Sequence, residues 1–259
     1  MSEDLLAGRL ATPIPGIGNG FVGGYRVRFD EAGPDGRLRT AGLLRYAQDI
    51  AWRHSEALGF DRRWYEEQDL SWVVRAVDLE VTAPIAMGQV VITETVVTEV
   101  RRAWARRRGE FRLADGTSVA VALTDWVIVD GRGRLVRIPE VFGQYFPSRA
   151  AESSVTRVSP PDAPPGAHRL ELRVRPPDID PMGHVNNGVY LDWFEEALAA
   201  AGASELSARL PRRIRLEYAA SAEPGDVLEA VSWPADDGWW QRLVRPADGA
   251  ELARARIEA

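Results

Sequence analysis

The sequence predicts an α+β protein built from two similar halves, each a long helix set against an antiparallel sheet. Three observations predict it. Each half holds one amphipathic helical pattern. Each pattern follows a short alternating stretch and precedes four further strand-like stretches. Segments of the two halves also superpose at fixed offsets.

Residues 1–20 (MSEDLLAGRLATPIPGIGNG), with their Pro and Gly, read as a loosely packed arm, and organised structure is expected from about Tyr25. Gly24–Asp30 alternates as a strand should, and GPDGRLRT then supplies turn residues. Thr40 can cap a helix whose apolar face is Leu43, Ala47, Ile50, Ala51, His54 and Leu58, with Gly59 at its end. Ser71–Thr82, Gln89–Arg101, Trp104–Leu113 and Thr117–Val129 are rich in β-branched residues and Trp, and turn-like segments separate them. Pro147–Gly166 becomes rich in Pro, Ser and Ala and reads as a linker.

Beyond it, Arg169–Arg175 is a strand. Tyr190, Trp193, Phe194, Ala197, Leu198 and Ala201 recur at the spacing of one buried helix face, with Asp192, Glu195 and Glu196 on the wet side. Asn186 or Asn187 can cap this helix, and Gly202 suits its end. Strands are expected at Arg212–Ala219, Asp226–Ser232, Gly238–Val244 and Glu251–Ile257.

The repeat can be followed by residue. An offset of 147, which places Tyr25 on Leu172, also places Arg26, Val27, Arg28, Pro34, Gly36 and Leu44 on Arg173, Val174, Arg175, Pro181, Gly183 and Leu191. An offset of 137 places Leu79, Glu80, Gly88 and Val90 on Leu216, Glu217, Gly225 and Val227. The implied division is an arm (1–20), a first domain (21–146), a linker (147–167) and a second domain (168–259).

Composition narrows the function. At 259 residues the chain exceeds the usual single domain. A net charge of -6 argues against nucleic acid as a partner. The absence of cysteine removes disulfides, thiolate nucleophiles and zinc–thiolate sites. Only His54, His168 and His184 are present, too few for a histidine-rich metal site, so neither metal nor cofactor is expected. No apolar run is long enough to span a membrane, and the first twenty residues lack a basic leader followed by a long apolar run. A cytoplasmic location is therefore expected.

The stretch Asp178–Ala201 joins a polar turn to the second helix, and so sets Asp180, Met182 and His184 near a helix N-terminus. Unpaired N–H groups and a partial positive charge at that end suit a carbonyl oxygen that becomes an oxyanion. At the positions of Asp180, His184, Asn186 and Asn187 the first half has Gly33, Arg37, Arg39 and Thr40. Reacting groups are thus expected in the second half, and pocket walls in the first.

D-x-x-G-H-V-N-N before the second helix, with SEALGF and SWVVRAVDLEVTAPIAMGQVVITETVV in the first half and GHVNNGVYLDWFEEAL and RLEYAASAEPGD in the second, resembles the acyl-acyl carrier protein thioesterase family. HVNN followed by an aromatic and FEE also resembles the single-hotdog acyl-CoA thioesterases of the hydroxybenzoyl-CoA type. The resemblance implies two fused hotdog domains, each a long central helix wrapped by an antiparallel β-sheet, and cleavage of fatty acyl thioesters, preferably on acyl carrier protein. It implies catalytic roles for Asp180, as general base or nucleophile, and for His184, which would orient the thioester or the water; N–H groups near His184 and Val185 would hold the oxyanion. Two positions depart from the plant-type pattern. Met182 stands where an Asn is usual. Ser221 and Ala222 stand where Glu and Cys follow the LEY strand, which makes Ser221 a further candidate, with Glu223 two places on.

Other readings compete. An acyl-CoA thioesterase, a hotdog enoyl hydratase or dehydratase, and a non-catalytic acyl or carrier-protein binding module are the alternatives. Asn186 and Asn187 suit caps, and His54 suits a core position. The arginines at 101, 102, 106, 107 and 108 read as a solvated edge that could attract an acidic carrier protein or the phosphates of coenzyme A. Most tryptophans should fill core, with some from the first half lining an acyl pocket. A monomer suffices, because the fused pair already supplies a two-hotdog unit, and a homodimer of it is the other expectation.

Overall fold

The structure, a computed structural model, describes residues 8–10, 20–146 and 156–259. Most of the expected arm and the first part of the expected linker lie outside the described residues. Among the described residues eleven strands form one antiparallel sheet in the order β1-β2-β4-β5-β6-β3-β8-β11-β10-β9-β7. The first half supplies β1 (Arg9–Leu10), β2 (Gly20–Arg26), α1 (Thr40–Ala57), the short α2 (Arg62–Glu67), β3 (Leu70–Val81), β4 (Val90–Arg101), β5 (Trp104–Leu113) and β6 (Ser118–Asp130). The second supplies β7 (His168–Arg173), α3 (Asn187–Ala200), the short α4 (Ser204–Ala208), β8 (Arg212–Tyr218), β9 (Val227–Ala235), β10 (Gly238–Arg245) and β11 (Ala250–Glu258).

β3 and β8 pair with each other and make the two half-sheets one. The sheet curls around α1 and α3, which pack together, and Ile50, Phe111, Leu79, Phe194, Leu198 and Leu216 are fully buried between helices and strands. This is the double helix-and-sheet arrangement expected from the repeat.

Three details depart from the sequence reading. β2 begins at Gly20 and ends at Arg26, earlier than Gly24–Asp30, because glycines obscure its alternation. Gly23 is needed there, since a Cβ on it would come within 2.8 Å of Ile50 Cδ1 on α1. Thr40 is not the cap of α1; Arg39 holds that place, and the Thr40 hydroxyl instead donates to Glu195 Oε1 of α3 at 2.6 Å. The described part of the linker is not loose. Thr156 N donates to Asp125 Oδ2 (2.7 Å) and Val158 N to Glu217 Oε2 (3.0 Å), while Arg242 Nη2 donates to the carbonyls of Pro160 and Pro161 (3.1 Å each). The segment is strapped over β6, β8 and β10 on the sheet face away from the helices, through buried acidic and basic side chains that composition alone does not reveal.

The repeat offsets recur in three dimensions. β2 and β7 end at Arg26 and Arg173, 3₁₀ turns start at Phe29 and Pro176, isolated bridges join Ala32 to Leu38 and Ile179 to Val185, and the helices start at Thr40 and Asn187. Each pair differs by 147. Positions that face themselves across the approximate two-fold axis identify where it runs. Arg45 forms an ion pair with Asp192, its own counterpart at that offset. Asp78 lies in register with Arg215, its counterpart at the offset of 137, and also pairs with Arg213 at 2.6 Å.

Candidate active site

The polar turn ahead of α3 is closed by its own backbone. Asp180 N donates to His184 O (2.8 Å), Gly183 N to Asp180 O (2.9 Å) and Asn186 N to Asp178 O (2.9 Å). Gly183 takes φ +80°, a left-handed conformation that glycine adopts without strain. Asp178 is buried and clamped by Arg175, whose Nη2 donates to Oδ1 at 2.9 Å, so this carboxylate is structural. Asn186 caps α3 through Gly188 N (2.9 Å), and its Nδ2 donates to Gln48 Oε1 of α1 (3.0 Å). The turn is thus tied to the helix of the other half.

Asp180 is partly exposed, and its Oδ1 accepts from Met182 N at 2.9 Å. Among the described residues it forms no ion pair. Together with Pro181, Met182 and Asn186 it lines a cleft of about 540 Å³ that runs along α1 into the first half. The walls are mostly apolar: Ala51, Trp52, Trp72, Val97, Trp126 and Phe142 are among them. The volume suits a small-molecule or acyl ligand.

His184 and Ser221 are placed differently. The His184 side chain is exposed and does not line the cleft; its carbonyl is what the turn uses. Ser221 is exposed, outside the cleft, and donates to the adjacent Ala222 carbonyl (3.3 Å). The next residue is anchored, since Ala222 N donates to the Tyr190 hydroxyl (3.1 Å), a phenol pushed up to about 12 by burial. Glu223 is exposed in the turn before β9. The structure therefore brings Asp180 and Asn186 to the cleft and leaves His184, Ser221 and Glu223 outside it.

Sequence reasoning missed the opposite wall. Arg45, Gln48, Asp49 and Trp52 of α1 all line the cleft. Their i, i+3, i+4, i+7 spacing was a legible signal of a second, semi-polar helix face. Of the arginine run, Arg101 and Arg102 are exposed as a solvated edge requires, whereas the stretch from Arg106 to Arg108 differs. Successive β5 side chains alternate, so Arg106 turns outward to a buried pair with Asp125 (Nε–Oδ1 2.7 Å), Arg107 turns to the cleft, and Arg108 pairs with Glu110. Arg107 Nη1 donates to His54 Nδ1 (2.9 Å), and burial pulls its guanidinium down to about 10. His54 is fully buried as expected, and burial, with Arg107 beside it, drives its imidazole down to about 3.

At the mirror-related junction, where the first half's turn meets α3, polar side chains bond to one another. Glu195 occupies the counterpart of Gln48, accepts from Thr40 and has its carboxyl pushed up by burial, while Arg212 Nη2 donates to the same Thr40 hydroxyl (2.5 Å).

Two long helices, each wrapped by half of one continuous antiparallel sheet, define a double hotdog protein. The chain belongs to the acyl-ACP thioesterase family: residues 18–145 match its N-terminal domain and residues 163–258 its C-terminal domain. It is 23% identical over 233 residues to the chloroplastic oleoyl-acyl carrier protein thioesterase of Coriandrum sativum, covering 82% of this chain and 62% of the relative. The chain thus spans about three fifths of the length of the curated relatives it matches. Among solved structures, the 12:0-ACP thioesterase of Umbellularia californica superposes with a TM-score of 0.76 (21% identity, 92% of this chain and 96% of that one). An acyl-ACP thioesterase of Bacteroides thetaiotaomicron gives 0.77 (18% identity, 92% and 97%).

Proposed function

We propose that the protein hydrolyses fatty acyl thioesters, with acyl carrier protein as the favoured carrier, and releases a free fatty acid. The observation that carries this reading is a carboxylate, Asp180, at one end of an apolar cleft in a chain of the thioesterase family. The acyl chain lies along α1 among Trp52, Trp72 and Trp126, with the thioester carbonyl beside Asp180. Asp180 takes a proton from water, the water oxygen bonds to the carbonyl carbon, and the C–S bond breaks as the thiolate leaves and is protonated. The N–H groups of His184 and Val185, which take no part in the turn's own hydrogen bonds, are the donors for the oxyanion at the start of α3. His184, on the solvent side of the turn, orients the arriving thioester. Thiolate is a good leaving group, so activating water is the main task.

The test is thiol release from a panel of acyl-carrier-protein and acyl-CoA thioesters, with Asp180→Asn in parallel. Hydrolysis with the carrier protein preferred, and a loss in kcat of roughly a hundredfold or more in the variant, is expected. Turnover near the original rate in Asp180→Asn would remove the central carboxylate from the mechanism, and no thiol release from any substrate would sink the hydrolase reading. The exposed His184 ring, with Met182 where the plant-type pattern has Asn, favours one second reading, an acyl-binding module. Tight acyl-carrier binding with no thiol release is its signature.

A further inference from the structure

We infer that the inner part of the cleft selects acyl chains that end in a carboxylate, with Arg107 receiving that group. This rests on the reading of the cleft as an acyl thioester site. Arg107 stands among cleft-lining side chains of the last turns of α1 and of α2, Ser55 and Tyr65. His54, its partner, lies six residues beyond Gln48, which at the helical rise is about 9 Å from the Asp180 end.

Arg107 differs from its neighbours on β5. Arg106 faces Asp125, Arg108 faces Glu110, and Arg112 faces Glu110 and Glu94. Arg107 has no carboxylate within ion-pair reach among the described residues. Its protein partners are neutral: Nη1 donates to His54 Nδ1 (2.9 Å) and to Thr95 Oγ1 (3.3 Å). Because Nδ1 accepts, the His54 proton sits on Nε2 and the ring carries no charge that could compensate.

A guanidinium keeps its proton under all ordinary conditions, so the cation persists inside an apolar cleft. Holding it there without a counter-charge is unfavourable unless something else supplies one. Among the described residues Nε and Nη2 form no hydrogen bond, and together they offer the two parallel N–H groups that match a carboxylate. The nearby hydroxyls do not compete for them. Trp72 Nε1 donates to the Tyr65 hydroxyl (3.1 Å), that hydroxyl pairs with Ser55 Oγ (2.9 Å), and Ser55 donates to Phe60 O (3.0 Å). A plain hydrocarbon end would leave the cation uncompensated, whereas a terminal carboxylate completes it.

The experiment compares kcat/KM for coenzyme A thioesters of matched length whose chains end in methyl, hydroxyl or carboxylate, using the full chain. Wild type is expected to favour the carboxylate series by at least about tenfold at the length that reaches Arg107. Arg107→Met should lose roughly a hundredfold on that series, mainly through KM, and little on the methyl series; Arg107→Lys should fall between. Preference of the wild type for methyl or hydroxyl ends would overturn the inference, as would equal losses on all series in Arg107→Met. The wild-type comparison stands even where a variant fails to fold. Should no thioester be cleaved, tryptophan fluorescence reports binding of the same compounds. Selective binding of the carboxylate series then supports this inference while the hydrolase reading falls, and unselective or absent binding overturns both.

Discussion

Replacing Asp125 with Ala probes the buried charge that joins the outer sheet face to the linker strap. The carboxylate has no exposed surface, accepts from Arg106 Nε and Nη2 at 2.7 and 2.9 Å, and accepts from Thr156 N at 2.7 Å. The substitution leaves Arg106 buried, with Glu99 at 3.8 Å, the Trp104 ring at 5.3 Å and the Thr156 hydroxyl at 3.5 Å among its other contacts. Removing one side of a buried pair costs about 3–5 kcal/mol, and Glu99 places the expectation at the lower end, about 3 kcal/mol. For a chain of this size each kcal/mol moves Tm by about 2–4 °C, so a fall of roughly 6–12 °C is expected. Thermal and denaturant unfolding followed by far-ultraviolet circular dichroism and tryptophan fluorescence provide the measurement. Arg106→Met combined with Asp125→Leu removes both charges and should recover at least half of the loss. A change below about 1 kcal/mol in Asp125→Ala, or a double variant as unstable as the sum of the singles, would refute the reasoning.

Two other outcomes follow from the same structure. His54 has a folded-state pKa of about 3 against an ordinary 6.5, so the stability it contributes is fully present above pH 6.5 and is lost as pH falls toward 3. Between pH 6.5 and 5 this amounts to about 2 kcal/mol. His54→Gln, which keeps an acceptor for Arg107, should unfold with a correspondingly flatter dependence on pH over that interval. A Cβ on Gly188 would meet Arg45 Cγ at 3.1 Å, Ala41 O at 3.2 Å and its own cap, Asn186 Oδ1, at 3.2 Å. Gly188→Ala should therefore cost about 1–3 kcal/mol and, by shifting α3 against α1, lower turnover as well as Tm.

The order of elements was readable because each half repeats the same hydrophobic periodicity. Where the reading slipped, local signals were weak or tertiary contacts overrode them. Three glycines hid β2, and Gly23 among them lets the strand lie close to Ile50. Thr40 looked like a cap from its type, but Glu195 and Arg212, distant in sequence, take its hydroxyl. α2 is six residues long, too short for periodicity to declare itself, although Asp61 caps it through Trp64 N at 2.9 Å. The Asp180 turn was legible as a contrast between the halves. The cleft that it faces was not, because the walls come from α1, β3, β4, β5 and β6, and only folding gathers Trp52, Trp72, Val97, Arg107 and Trp126 into one space. The alternation rule could have separated Arg106 from Arg107, but it does not say which face of β5 is wet.

The pairs that straddle the approximate two-fold axis also decide who can associate with whom. Arg45 meets Asp192 between the helices, and Asp78 lies opposite Arg215 between the central strands. Were two first halves to pair with each other in this geometry, Arg45 would confront Arg45 and Asp78 would confront Asp78. Two second halves would set Asp192 against Asp192 and Arg215 against Arg215. Each mispairing places like charges together at helix and sheet contacts alike, where the native pairing places opposite ones. The divergence of the two copies has thus made each half reject its own kind and accept the other, so the electrostatics at the axis favour pairing of a first half with a second half over pairing of two like halves.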